Sequence, residues 1–176
     1  ILLLTNKIPF PPNSGYAIVV YNTIKELVAN GCKVTLFSLC NSTDEFDPTD
    51  IQDPLFHQIR FVQSKIDGKM KIKDTLWNIF SHQSYNLNSY YDAKCAEKIS
   101  RLLHNHKFDV IQFEGLFLVP YLEVIRSACK TPVVYRAHNV EHQIWKKLTL
   151  NESSFFKRLY MGFQSSRMKK YENKVL

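Results

Sequence analysis

The sequence predicts an α/β domain in which an open parallel sheet carries helices on both faces. Three observations lead there. Short apolar runs alternate with longer stretches of helical periodicity, the order expected of repeated strand-helix-strand units. Runs such as Ile1–Thr5 and Val133–Tyr135 are almost continuously apolar, as strands covered on both faces are. Two strands also pass without a spacer into polar residues: Val110–Phe113 into Glu114-Gly115, and Val133–Tyr135 into Arg136-Ala137-His138-Asn139-Val140-Glu141-His142. Open α/β sheets bind ligands in the crevice beyond the carboxyl ends of their strands, so both clusters belong to one candidate rim.

Ile1–Thr5 is the first strand, and Asn6–Gly15 is a loop punctuated by Pro9, Pro11 and Pro12. From Tyr16 onward Val20, Ile24, Leu27 and Val28 recur at helical spacing, and Asn30-Gly31 supplies the stop. The helix start at Ser14-Gly15 offers backbone N–H groups and the positive end of a dipole to an anion such as a phosphate. Ser14 also reads as an ordinary cap and Gly15 as a turn residue. Lys33–Leu39 is the second strand, made parallel to the first by a right-handed crossover. No G-x-G-x-x-G follows the first strand and no acidic residue ends the second, which argues against a nicotinamide or flavin enzyme.

Asn41–His57, rich in Asp and Pro, is a surface loop with about one helical turn, and Gln58–Gln63 is the third strand. Lys65–Lys73 leads through Asp74 to Leu76, Trp77, Ile79 and Phe80, a helix with a basic entry and a buried end. Ser81–Tyr91, with His82, Tyr85, Tyr90 and Tyr91, offers flat aromatic faces suited to a sugar ring or to packing at a rim. Asp92 caps a helix whose apolar face is Cys95, Ala96, Ile99, Leu102 and Leu103. Leu118, Leu122, Ile125 and Cys129 mark the helix between the last two strands. Asn151–Leu176 is helical, with Phe155, Phe156, Leu159, Tyr160 and Phe163 toward one side and Lys157, Arg158, Arg167, Lys169 and Lys170 largely elsewhere. Its apolar face is expected to pack on the sheet; the other reading is contact with an anionic membrane surface.

A chain of 176 residues that is 45% hydrophobic and 13% aromatic suits one domain with its own core, residues 1–176. Its first strand and last helix both look cut, so a longer protein is expected. No run approaches the roughly 18 apolar residues of a membrane span, and the apolar start lacks the flanks of a signal peptide. A cytoplasmic protein, peripheral on the inner membrane face, is the expectation. Cys32, Cys40, Cys95 and Cys129 lack metal-binding spacing and read as reduced thiols. The formal charge of +7 is concentrated between Gln143 and Leu176, where eight Lys and Arg face two Glu. With no nucleic-acid signature among them, these point to a local anionic partner and not to nucleic acid.

The residues Pro9-Phe10-Pro11-Pro12-Asn13-Ser14-Gly15, Asn30-Gly31-Cys32-Lys33-Val34-Thr35-Leu36, Phe108-Asp109-Val110-Ile111, Tyr135-Arg136-Ala137-His138-Asn139-Val140-Glu141-His142 and Lys170-Tyr171-Glu172 together give the chain a wider likeness. It resembles the amino-terminal domain of group 1 glycosyltransferases of the GT-B fold. The resemblance implies one of two Rossmann-like domains facing across a cleft, this one mainly for the acceptor, with the donor-binding domain absent from this chain. It also implies transfer from a nucleotide-sugar donor to a saccharide or lipid-phosphate-linked acceptor, in surface polysaccharide synthesis, with retained configuration and no metal or other cofactor. Ser14 and Gly15 would then approach the donor diphosphate, and His138 would sit beside the transferred sugar as the catalytic residue. Arg136, Asn139, Glu141 and Glu114 would shape the acceptor side or support His138. Many relatives have two consecutive glycines in the first loop; here Tyr16 follows Gly15, where a side chain is expected to obstruct approach to a phosphate. A non-catalytic Rossmann-like binding module and a GT-B-like sugar-nucleotide epimerase stand as alternatives. The isolated fragment is expected to be inactive.

Overall fold

The computed structural model describes residues 1–41, 47–66 and 91–175. Among them, five parallel strands form one sheet: β1 (Leu2–Thr5), β2 (Thr35–Asn41), β3 (Arg60–Ile66), β4 (Ile111–Glu114) and β5 (Val133–Arg136). Their order across the sheet is β3-β2-β1-β4-β5, so the chain works outward from β1 in one direction and then resumes on its other side. That reversal creates a crevice between the carboxyl ends of β1 and β4.

β1 is central, and its apolar residues divide between the two faces. Leu2 and Leu4 pack with Phe37, Leu39, Ile111 and Phe113, while Leu3 packs with Leu36 on the opposite face. The first face is covered by α2 (Ala93–Asn105) and α3 (Leu122–Ala128), which contribute Cys95, Ile99, Leu102 and Ile125. The second is covered by α1 (Gly15–Ala29), through Val20 and Ile24, together with Phe10 and Phe56. Helices therefore lie on both faces of a Rossmann-like sheet, as the sequence predicts.

The local signals explain most boundaries. The side chain of Ser14 caps α1 by accepting from the N–H of Ala17 at 3.3 Å. Gly31, at φ 77°, ends it while the N–H groups of Gly31 and Cys32 bond back to Val28 and Leu27. Asp92 caps α2 through the N–H of Cys95 at 2.8 Å. Burial pushes the Cys95 thiol up to about 11, and none of the four cysteines is in a disulfide.

Several expectations are corrected. β2 and β3 each begin two residues later than read; Gln58 belongs to a single 3-10 turn, Phe56–Gln58, with another at Pro48–Asp50. The segment Leu116–Tyr121, read as the start of a helix, is also 3-10, with Pro120 inside it. The helix read with its basic entry at Lys65 is corrected at its first two residues, Lys65 and Ile66, which belong to β3; the rest of it, and the aromatic stretch up to 90, lie outside the described residues. Tyr91, at the end of that stretch, stacks on Tyr121 with centroids 5.4 Å apart.

The largest correction is at the carboxy-terminal end. The helix expected over Asn151–Leu176 is α5 (Phe155–Val175), four residues shorter at its start, and a further helix to which the sequence assigns no element, α4 (Glu141–Asn151), precedes it. The aromatic stripe of α5 does not pack on the sheet, since Phe155, Phe156 and Leu159 expose 62%, 81% and 66% of their surface. The buried positions are Gln164, Ser165, Met168 and Glu172, with Tyr171 and Val175 against the core. Helical spacing identified a stripe, but partly polar residues one turn further on face inward because they contact α4.

Gly115 follows β4 at φ 109° and ψ 163°, a region open essentially to glycine alone. Gly115→Ala is expected to lower the unfolding free energy by roughly 1–3 kcal/mol in a urea titration. Gly162 sits inside α5, where an added Cβ meets only the Thr149 methyl at 3.6 Å, an ordinary contact. Gly162→Ala is expected to raise stability by about 0.5–1 kcal/mol in the same titration, by helix propensity alone.

Candidate active site

Glu114 is the last residue of β4, in register with Thr5 of β1 and Arg136 of β5. Its side chain is fully buried, and an isolated carboxylate there would lose its hydration without return. Three groups compensate. The amide of Gln112, two residues back on the same face of the strand, donates to Oε1 at 2.5 Å. The His138 ring meets Oε2 through Nε2 at 2.6 Å, and the Arg136 guanidinium lies 3.9 Å from Oε1. With Nε2 donating to the carboxylate, the other ring nitrogen of His138, Nδ1, is the one left for a ligand.

The amino-terminal turn of α1 reaches the same place. Tyr16 donates its hydroxyl to the Glu114 carbonyl at 3.3 Å and lays its ring against His138, centroids 4.7 Å apart. Burial pushes the Tyr16 hydroxyl well above its ordinary value, opposed by a hydrogen bond from the Asn6 backbone N–H and reinforced by the charge of Glu114. The side chain turns toward the strand ends and braces His138. Ser14 and Gly15 are exposed at the start of α1. A Cβ on Gly15 would meet nothing within 4 Å, so packing does not demand a glycine there. Arg136 is tied to α1 as well, donating to the hydroxyl of Thr23 at 2.5 Å.

Asn139 and Glu141 belong to a neighbouring cluster. Glu141 opens α4, and burial holds its carboxyl above the usual range, against a hydrogen bond from Asn139 and with the nearby charge of Glu172 adding to the rise. Glu172 of α5 is buried and accepts from the N–H of Glu141 at 2.7 Å, from the N–H of His142 at 3.1 Å and from the His142 ring. Tyr135 lies beside both carboxyls, and burial followed by those charges pushes its hydroxyl up to about 12.

Of the residues expected at the site, the structure joins His138, Glu114 and Arg136 directly and brings the Ser14-Gly15 turn to them through Tyr16. Asn139 and Glu141 stand one step away, at the start of α4. Sequence reasoning misses Gln112 and Thr23, takes Tyr16 only as an obstruction, and gives the Lys170-Tyr171-Glu172 motif no role. The i, i+2 pair Gln112 and Glu114 on one strand face was the available signal for Gln112. Among the described residues, no group of three His, Cys, Asp or Glu side chains is placed to hold a metal ion. Among them too, no helix is long and apolar enough to cross a membrane.

The fold and this crevice define an α/β ligand-binding domain whose polar groups gather at the point where strand order reverses. The family model for Glycosyltransferase Family 4 matches residues 13–174, and the chain belongs to that family. It is therefore a glycosyltransferase domain, with a sugar donor and an acceptor as its general classes of substrate. No curated protein matches the chain.

A carboxyl held above its unfolded value keeps its proton better when folded, so its stabilising share is present below the unfolded value and is lost as pH rises through the folded one. Glu141→Gln is accordingly expected to raise the thermal midpoint near neutral pH, with the gain disappearing below about pH 4, where the wild-type carboxyl is protonated in both states. An unchanged or lower midpoint near neutral pH would contradict this reading of Glu141.

Proposed function

We propose that this chain is the acceptor-side half of a two-domain GT-B glycosyltransferase that moves a sugar from a nucleotide-sugar donor to a saccharide or lipid-phosphate-linked acceptor, in the synthesis of a surface polysaccharide. The observation that carries the reading is the His138 ring, held by the buried Glu114 carboxylate in the crevice between β1 and β4, beside the amino terminus of α1. A second α/β domain would bind most of the donor and close over the crevice, excluding water.

Transfer breaks the bond between the anomeric carbon and the diphosphate oxygen, and the bonding pair leaves with the nucleoside diphosphate. The acceptor oxygen then forms its bond to the same carbon, on the face that retains configuration, and its proton passes to the departing phosphate oxygen. Charge builds on the departing phosphate and on the sugar ring, and no metal is assigned to either. The exposed turn at Ser14 and Gly15, with the dipole of α1 behind it, suits the diphosphate. Nδ1 of His138 would contact the transferred sugar, while the Glu114 carboxylate, bonded to Nε2, fixes the direction of the ring. Half-exposed Arg136 borders the acceptor side.

The carboxy-terminal helices favour an acceptor presented at an anionic membrane. A groove of about 710 Å³ between α4 and α5 is lined by His142, Lys146, Lys147 and Lys169. At Gly162 and Ser166 it meets an apolar groove of about 420 Å³ lined by Phe155, Leu159 and Phe163. A basic hollow joined to an apolar one suits an anionic headgroup with its hydrocarbon chain. Lys157 and Arg158 are exposed beside the aromatics, Lys169 and Lys170 are exposed further along α5, and Arg167 lies over the Phe163 ring at 4.2 Å. This arrangement supports a cytoplasmic protein that attaches to the inner membrane face.

Release of nucleoside diphosphate from a panel of sugar nucleotides, with and without saccharide or lipid-phosphate acceptors, tests the transferase in the full-length protein. His138→Ala is expected to lower acceptor-dependent release by about 10²- to 10³-fold. Release that ignores the acceptor, or survives in the variant, would defeat the assignment. In vesicle sedimentation, the protein is expected to bind anionic vesicles and not neutral phosphatidylcholine ones, and to release with added salt. Phe155→Ser with Phe156→Ser is expected to abolish that binding; retention by the double variant would remove α5 from the membrane contact.

A further inference from the structure

We infer that Glu172 is a positioning residue for catalysis: from α5 it supplies the cap that α4 lacks and thereby holds the backbone of the loop carrying His138. The inference rests on the proposed function for its catalytic consequence, and on geometry alone for its mechanical part.

The residue preceding α4, Val140, makes no side-chain cap bond to the helix start. A helix start without a capping side chain leaves its first N–H groups to find other acceptors. Here one carboxylate from a different helix meets them: Oε1 takes the N–H of Glu141, and Oε2 takes the N–H and the ring of His142. An anion at a helix amino terminus is also favoured by the dipole. Ser165, nearly two turns earlier on α5, donates to the His142 carbonyl at 3.0 Å and anchors the same residue from its other backbone group.

What this fixes is short. Only Ala137, His138, Asn139 and Val140 separate the end of β5 from the start of α4. Arg136 is held at the first end by its register with Glu114 in the sheet. With the second end held by Glu172, four residues have little slack in which to swing. Two buried carboxylates therefore act on one loop from opposite sides, Glu114 on the ring of His138 and Glu172 on the backbone beyond it. Losing the second leaves the loop without its bonds to the start of α4, held at the ring by Glu114 and Tyr16 and beyond it only by Ser165. Catalytic groups misplaced by about 1 Å can lose two orders of magnitude in rate.

The test compares Glu172→Gln with Met168→Ala in the full-length protein. Met168 is buried one turn away on α5 in the hydrophobic core and has no carboxylate to supply the cap, so its loss destabilises the helix without removing the cap bonds. Steady-state kinetics are normalised to folded protein, and the ring nitrogens of His138 are followed by NMR of histidine-labelled protein, assigned with His138→Ala. The expected result is a kcat about 10- to 100-fold lower in Glu172→Gln, with the donor KM little changed, and shifted or broadened His138 signals. Met168→Ala is expected to keep both kcat and signals. His138 signals that stay in place in Glu172→Gln, or that move as far in Met168→Ala, would overturn the positioning role. Moved signals with an unchanged kcat would overturn its catalytic consequence. A wild-type protein that transfers no sugar would defeat the proposed function instead, and the NMR comparison would still decide where Glu172 acts.

Discussion

A carboxylate with no exposed surface must be given donors by its own protein, and at Glu114 this requirement organises the crevice. Gln112 answers from the same strand, His138 from the loop after β5, and Arg136 from the end of β5. Gln112 and His138 take their direction from hydrogen bonds to the negative group between them, and Arg136 is held beside it by Thr23. The carboxylate in turn would be a net destabilising burial without them. The placement follows from topology: only at β1 and β4 does the sheet leave adjacent carboxyl ends with their connections running to opposite sides. Tyr16 closes the arrangement from α1, joining the first loop of the chain to residues almost a hundred positions later.

A second carboxylate repeats the device in a different setting. Glu172 meets backbone N–H groups at a helix start, where Glu114 meets side chains. Both satisfy groups that the local sequence leaves unpaired, and both tie distant parts of the chain to the stretch 136–142. The aromatic amino-terminal half of α5 makes no such contribution to the core. Its residues are left on the surface because the inward face of the helix is set by its contacts to α4 and to Tyr135.

The sheet, its parallel sense and the coverage of both faces were legible because they depend on strong local patterns. Continuous apolar runs, a glycine stop at Gly31 and caps at Ser14 and Asp92 each report their own surroundings. His138, Arg136 and Glu114 were legible for a related reason, since each lies at a strand end that the pattern locates. Gln112 was hidden inside an apolar strand, and its meaning depends on the residue two positions on being buried. Tyr16 and Glu172 act across long stretches of sequence, and no local rule reports what lies opposite them. The stripe of Phe155, Phe156, Leu159 and Phe163 was read as core because periodicity reveals that residues share a side, not which side faces the protein. The start of α4 escaped notice because Val140 carries none of the capping groups by which a helix start announces itself.

Thr5, Glu114 and Arg136 occupy one row across three strands. Side chains on a strand alternate between faces, so their row is counted from the register of the sheet and not from the loops that follow. The loops of such a domain can lengthen or change composition and still leave the row where it is. A single residue gained or lost within β4 would carry Glu114 to the opposite face, away from His138, and turn Gln112 with it or leave it behind. Variation compatible with this crevice is therefore confined to the connections, while the four-residue strands β1, β4 and β5 have a length that cannot drift.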